Sequence, residues 1–384
     1  MSIEFLPGAA DIWLTSDTHG DKQFLLQERF LGIPQNTVYA AYRQAVAAFQ
    51  SRSLGFHDDD IHSAANPLVS DLLHSSAVLL LANPAHQTAL NNRKRLILAE
   101  LRDPRTELLF SAGLLTLREC SKQTIIWHHR RWLLRYIAGP IQRSDSETAM
   151  GPFLLTDEDA LHTYDIPVHV LRTELDIALQ ASETYRRNYF AWSHRGRVFD
   201  ALLYRTRKSL DKASSDGDGL VKLLREEHTC ALQWIEQHVT DYTAMQYLCR
   251  IDALLRDTVP EVTITPSHLH ATSLLRTYPQ YESVWMYTRY DKFSQNDAEV
   301  DAAGLLTRVS VTADQSMPEQ REQLLLNARR CLAWRDRHDV SPLDLCIPEQ
   351  CLTDKNLCCS RLPGLLHETF SITTRKRALQ WRIS

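Results

Sequence analysis

Two short runs of imidazole and guanidinium groups are the first places to look for chemistry in this chain of 384 residues. His128 and His129 precede Arg130 and Arg131, and His194 precedes Arg195. Such groups could ligate a metal or move a proton. Metal sites need three or more ligands in a defined constellation, and no nearby Asp, Cys or Glu completes one, so these side chains are expected to line a partner-facing groove. A second candidate is the cluster Cys346, Cys351, Cys358 and Cys359. It lacks the paired knuckles of a structural zinc site and reads as buried thiols under a C-terminal cap. A third is Arg186 with Arg187, adjacent cations just before a helix N-terminus, a turn suited to facing an anion.

The segment IWLTSDTHGD at 12–21 places an Asp-x-His after an apolar stretch, as in the opening of a two-metal phosphoesterase site. That chemistry needs further Gly-Asp, Gly-Asn-His and Gly-His-x-His loops downstream, and none occurs, so the segment is expected to be a turn between N-terminal helices. No Ser-His-Asp arrangement, phosphate-cradling glycine loop or dinucleotide fingerprint is present, and independent catalysis is not expected.

The same histidines and arginines belong to a recurring pattern. It appears as NPAHQTALNNR at 83–93, SKQTIIWHHRR at 121–131, RRNYFAWSHR at 186–195 and YPQYESVWMYTR at 278–289. Aligned, the copies put Leu90, Trp127, Trp192 and Trp285 in one column and Arg93, Arg130, Arg195 and Arg289 in the next. A weaker copy, TDYTAMQYLCR, has Met245 as its anchor and Arg250 nearby. The tetrapeptide RTEL occurs at 105–108 and 172–175, similar distances ahead of Trp127 and Trp192, which marks two copies of one helix-turn-helix unit. Recurrence at tens of residues predicts stacked helical units, none of which buries its apolar face alone. Within a unit, Trp127, Arg130, Arg131 and Leu134 share one helical face. The indole buries apolar area between units, while the arginine lays its stem over the ring and offers donors to unpaired carbonyls at the turn.

These elements set the layout. Residues 1–81 read as a helical lead-in, with an alanine-rich helix in TVYAAYRQAVAAFQSR at 37–52, residues 82–293 as the repeats, and 294–384 as a C-terminal helix and capping tail. Polar loops at 141–167 and 208–220 are expected to project from the array. Only 12 glycines and 15 prolines argue against a glycine-rich β fold. The 43 basic and 47 acidic side chains give a net charge of −4, no electrostatic footprint for nucleic acid. The start of the chain lacks a secretory pattern, and no apolar run approaches the ~20 residues of a membrane span, so a cytoplasmic location is expected.

The segments NYFAWSHR, TIIWHHRRWLL and ESVWMYTR resemble the repeats of protein prenyltransferase alpha subunits, over roughly 83–290. The degenerate copies, long lead-in and extra C-terminal segment make the chain more similar to the divergent repeat-containing branch of that family. The resemblance implies an all-α, right-handed alpha-alpha superhelix of helical hairpins. It also implies a role as the alpha-type subunit of a heterodimer. The beta subunit would carry the zinc and most of the isoprenoid pocket and transfer a farnesyl or geranylgeranyl group to a C-terminal cysteine of a protein substrate. This chain itself would bind no cofactor, and membrane contact would come only through the lipidated product. In such subunits a lysine before the Asn-Tyr pair reaches the isoprenoid diphosphate. Here Arg187 precedes Asn188 and Tyr189, which implies a catalytic role for Arg187 and Tyr189. Arg187 reads equally as a solvated charge one turn before the helix. The partner-facing groove would then comprise Trp127, His129, Arg130, Trp192, His194, Arg195, Trp285, Tyr287 and Arg289. The alternative is a non-catalytic interaction scaffold that kept the repeats and lost the transferase partner.

Overall fold

The computed structural model describes residues 2–6, 24–28, 30–53, 67–141, 159–211, 217–259 and 263–289, together with positions 322, 324, 326–328, 330 and 331. All of them lie in the unit Met1–His338. The Asp-x-His segment at 12–21, most of the loop at 141–167, the tail cysteines and most of the C-terminal helix and cap fall outside the described residues.

The described structure is a succession of helical hairpins. The first pairs α2 (Pro67–Ala82) with α3 (Gln87–Leu98), and the second pairs α4 (Pro104–Leu115), through the single turn α5 (Arg118–Ser121), with α6 (Thr124–Ala138). Then come α7 (Val168–Thr184) with α8 (Tyr189–Asp211) and α9 (Gly217–Gln237) with α10 (Tyr242–Thr258). The last described hairpin is α11 (Ser267–Thr277) with α12 (Glu282–Arg289). No helix among the described residues is long and apolar enough to cross a membrane.

The lead-in departs from the helical expectation. The alanine-rich helix is there, as α1 (Gln35–Ser53), but before it lies a small sheet of β1 (Ser2–Leu6), β2 (Leu25–Gln27) and β3 (Phe30–Pro34). β3 is central, parallel to β1 and antiparallel to β2. Period-two patterning over three to five residues is too short to stand out beside a helix. The sheet is tied to the hairpins where the Ile3 N–H donates to Thr116 Oγ1 at 2.9 Å, at the C-terminal end of α4.

Each second helix starts three residues before its anchor, so the residue four before the anchor stands at the cap position. His86, Asn188 and Asp241 accept from backbone N–H groups of Ala89, Ala191 and Thr243 at 3.1 Å each, so three of these starts carry a side-chain cap. Asp103 caps α4, accepting from the Thr106 N–H at 2.8 Å, with Pro104 in the first turn. Gly139, at φ 70°, ends α6 in a backbone region that side chains resist.

The anchors lie in the core. Trp127 and Trp285 are fully buried, and their indole N–H groups donate to turn carbonyls, Trp127 to Ser121 O at 2.8 Å and Trp285 to Pro279 O at 2.7 Å. Asn188 Nδ2 donates to that same Ser121 carbonyl at 3.0 Å, so the turn of hairpin two is held by its own anchor and by the cap of hairpin three. The Trp192 and Trp234 indoles share Asp241 Oδ2, at 3.3 and 3.1 Å. Truncating Trp127 to alanine removes a large buried ring and leaves that carbonyl short of a donor. The variant should lose about 3–5 kcal/mol in urea unfolding, and a loss below about 1 kcal/mol would show that the ring is not the anchor of its hairpin.

Candidate functional site

The arginine column forms a buried ladder. From α3, Arg93 grips Glu107 on α4 with both edges of its fork, Nε to Oε1 and Nη2 to Oε2 at 2.7 Å each. From α6, Arg130 grips Glu174 on α7 in the same way, again at 2.7 Å for both bonds. From α8, Arg195 grips Glu227 on α9 at 2.6 and 2.7 Å. In every case the remaining nitrogen, Nη1, turns back to the first helix of its own hairpin, donating to Leu73 O, Leu108 O or Leu175 O at 2.7–2.8 Å. Ser76 and Ser111 add a hydroxyl acceptor at 2.8 Å to the first two. One guanidinium therefore fastens three helices, two of its own hairpin and one of the next. None of these six charged side chains is more than 3 % exposed.

The residue two after each anchor closes on the same carboxylate from the other side. His129 Nε2 lies 3.4 Å from Glu107 Oε1, His194 Nε2 lies 3.0 Å from Glu174 Oε2, and the Tyr247 hydroxyl donates to Glu227 Oε1 at 2.6 Å. Trp127 packs on the His194 ring at 5.0 Å between centres, and Trp192 on Tyr247 at 5.2 Å. Arginine of one hairpin, glutamate of the next, and an imidazole or phenol of that next hairpin thus recur as a buried triad.

Electrostatics follow from this enclosure. Burial alone would raise the Glu174 pKa, but the charge of Arg130 and hydrogen bonds from His194 and Arg130 outweigh it and hold the carboxyl down to about 2. Glu107 is likewise held to about 2 against burial, by His129 and Arg93. Burial pushes His194 down to about 4, with Glu174 opposing, and lowers His129 for the same reason. Nδ1 of both rings has no hydrogen-bond partner among the described residues, which suits a neutral ring donating through Nε2. Among the described residues no group of three or more His, Cys, Asp or Glu is placed to hold a metal ion. His128 instead lies at the surface with Nδ1 2.9 Å from Asp159.

The residues expected to line a groove are placed differently. Trp127, His129, Arg130, Trp192, His194, Arg195, Trp285 and Tyr287 are all buried, so they form the joints between hairpins rather than a surface for a partner. Arg289 is half-buried at the end of α12, where no further hairpin is described. Of the two residues expected near a diphosphate, Arg187 is exposed, and Tyr189 is half-buried with its ring edge-on to Phe190 at 5.6 Å. Arg187 adopts φ 59°, the left-handed region, directly before the inward-turned cap Asn188, and its guanidinium carbon lies 5.8 Å from the Tyr242 ring centre. Glu107, Glu174 and Glu227 were missed as members of the pattern. The signal was present, since the RTEL copies carry the first two, but the tetrapeptide served there only as a mark of register.

Both the glutamate and histidine shifts lie below the unfolded values of 4.5 and 6.5, so the unfolded chain binds protons first and acid destabilises the fold. Stability should be level above about pH 7, decline from 6.5 toward 4 as unfolded histidines charge, and decline again below 4.5 as unfolded carboxylates protonate. His194→Gln should make the first decline shallower. Urea unfolding at a series of pH values tests this, and a profile flat between 6.5 and 4.5 would contradict it.

Comparison with known sequences meets this geometry at its centre. A family model described as the protein prenyltransferase alpha subunit repeat matches residues 171–202, the span from Leu171 on α7 through Glu174, Asn188, Trp192 and Arg195 into α8. Protein prenyltransferase alpha subunit repeat-containing protein 1-B of Xenopus laevis is 30% identical over 177 residues, 46% of this chain and 36% of that protein. Repeat-containing protein 1 of Homo sapiens is 26% identical over 262 residues, 59% of this chain and 60% of its own length. Its Danio rerio counterpart is 25% identical over 250 residues, 57% of this chain and 54% of its own length. The matches thus span between about one third and three fifths of these relatives. Residues 171–202 thus match the protein prenyltransferase alpha subunit repeat, and the chain is similar to the repeat-containing protein 1 branch of that family.

Proposed function

We propose that this chain is a non-catalytic helical-repeat scaffold for protein–protein interaction, derived from the prenyltransferase alpha subunits. The observation that carries this reading is the burial of the signature: tryptophan, histidine and arginine of the repeats are engaged with one another and with glutamates of neighbouring hairpins, not displayed to a substrate. In this reading residues 82–293 form a right-handed alpha-alpha superhelix between the lead-in at 1–81 and a cap at 294–384. The scaffold works in the cytoplasm and presents its outer side chains to a protein partner.

A second reading is kept by one observation. Arg187 and the half-buried Tyr189 stand at the surface in the order that the alpha subunits use beside the isoprenoid diphosphate. On that reading the chain supports a beta subunit that holds zinc and isoprenoid diphosphate and modifies a C-terminal cysteine of its substrate. An arginine there would bind phosphate oxygens through its fork.

Native purification of the tagged chain, followed by co-expression with prenyltransferase beta subunits, separates the two. The scaffold reading expects an equimolar protein partner and no prenyl transfer that depends on Arg187. A beta-subunit complex whose prenyl transfer is lost in Arg187→Ala while assembly persists would replace it with the second reading.

A further inference from the structure

Next to the ladder, a cluster of cations and rings on α3 and α6 meets the arginine–glutamate joints only through His129. Lys94 on α3 is half-buried, and its ammonium lies 5.2 Å from the ring centre of Trp132 on α6. That ring is the middle of a stack, with His129 at 5.8 Å and Tyr136 at 5.3 Å, the planes tilted by 20° and 22°. Lys94 has the ring beneath it and no hydrogen bond or ion pair among the described residues. Nearby, Asp159 is shared by Arg131 at 2.5 Å, His128 at 2.9 Å and Arg135 at 3.3 Å. Burial, and then the like charge of Arg135, lower the Lys94 pKa, and Asp159, already held by Arg131, His128 and Arg135, opposes only in part. The ammonium is thus short of an anion of its own.

Apolar surface adjoins this charge. Leu98, one turn beyond Lys94, is 59% exposed, and Tyr136, one turn beyond Trp132, is 42% exposed. A ligand that satisfies the patch must bring both a negative group and apolar contact. Free phosphate brings only the first. Nucleic acid brings a dense line of charge that a chain with a net of −4 and no wide basic stripe is poorly built to neutralise. A polypeptide carrying carboxylates beside apolar side chains brings both, with aromatic and cationic groups as the anchoring residues on this side.

We propose that this surface docks an acidic, leucine-bearing segment of a partner protein, its carboxylate received by Lys94 beside Arg135 and its apolar side chain laid on Trp132, Tyr136 and Leu98. This docking rests on the scaffold reading above and gives the partner its chemistry.

The test titrates the full chain into a fluorescent peptide of alternating glutamate and leucine, and into its lysine–leucine counterpart, and follows anisotropy. The glutamate peptide should bind at least about ten-fold tighter than the lysine peptide and weaken as salt is added. Lys94→Glu should lower that affinity about ten-fold and Lys94→Gln about three-fold, with the far-UV spectrum unchanged because Lys94 holds no joint. Equal binding of the two peptides, or undiminished binding to the Lys94→Glu chain, overturns the docking surface. Displacement of the peptide by an uncapped single-stranded RNA of equal charge does so too, by assigning the patch to phosphates. A stoichiometric partner that still copurifies with Lys94→Glu while the peptide fails leaves the scaffold reading standing and removes this surface alone. Loss of any partner from the parent chain removes both.

Discussion

A guanidinium cannot be withdrawn from water without company, and this constraint organises the array. Taking an ion into the interior costs several kcal/mol even after relaxation, and the cost is met only when geometry and hydrogen bonding are nearly complete. Arg130 meets that condition by using four N–H donors, two on Glu174, one on Leu108 O and one on Ser111 Oγ. Each partner belongs to a different place in the chain, so the pairing is satisfied only when α4, α6 and α7 are in register. Leucine in the same positions would pack well in several registers. The ion ladder therefore contributes specificity at least as much as stability, and the tryptophans supply the apolar area that the charges do not.

The ends of the ladder follow the same rule. Among the described residues no hairpin repeat precedes hairpin one to send an arginine, and the position that is glutamate in Glu107-Leu108 and Glu174-Leu175 is the buried Leu72 before Leu73. Hairpin four has Leu248 where the arginine would be, and the joint to hairpin five is made differently. There Asp252 on α10 accepts from the N–H and hydroxyl of Ser267, at 3.1 and 2.6 Å, and so caps the start of α11. Arg250, displaced along the helix, instead pairs with Asp200 on α8 at 2.6 Å. Where one member of a buried pair is missing, the other is missing too, as the expense of an orphaned charge requires.

Much of the hairpin layout was legible because it rests on local spacing. The anchor columns, the register of the two RTEL copies and the helix read at 37–52, observed at Gln35–Ser53, all show as periodicities within a few turns. The sheet was not legible, since β1 finds β3 across a long separation and its strands are only three to five residues. The role of His129 and His194 was misread for a related reason. Histidine beside arginine suggests chemistry, and only the glutamate on the first helix of the same hairpin, 22 residues away for His129 and 20 for His194, shows the imidazole to be the second donor to a structural carboxylate. Burial is a property of the assembled array, which no single segment displays.

The central claim is that the fork between Arg130 and Glu174 couples hairpins two and three as a unit. A double-mutant cycle in urea unfolding, with Arg130→Met, Glu174→Met and the two combined, measures it directly. The account predicts that each single change costs about 3–5 kcal/mol, because the partner is left charged and buried, while the double variant loses far less than their sum, a coupling of at least about 2 kcal/mol. Additive losses, or single changes that cost under about 1 kcal/mol, would contradict the account and return the joint to apolar packing alone.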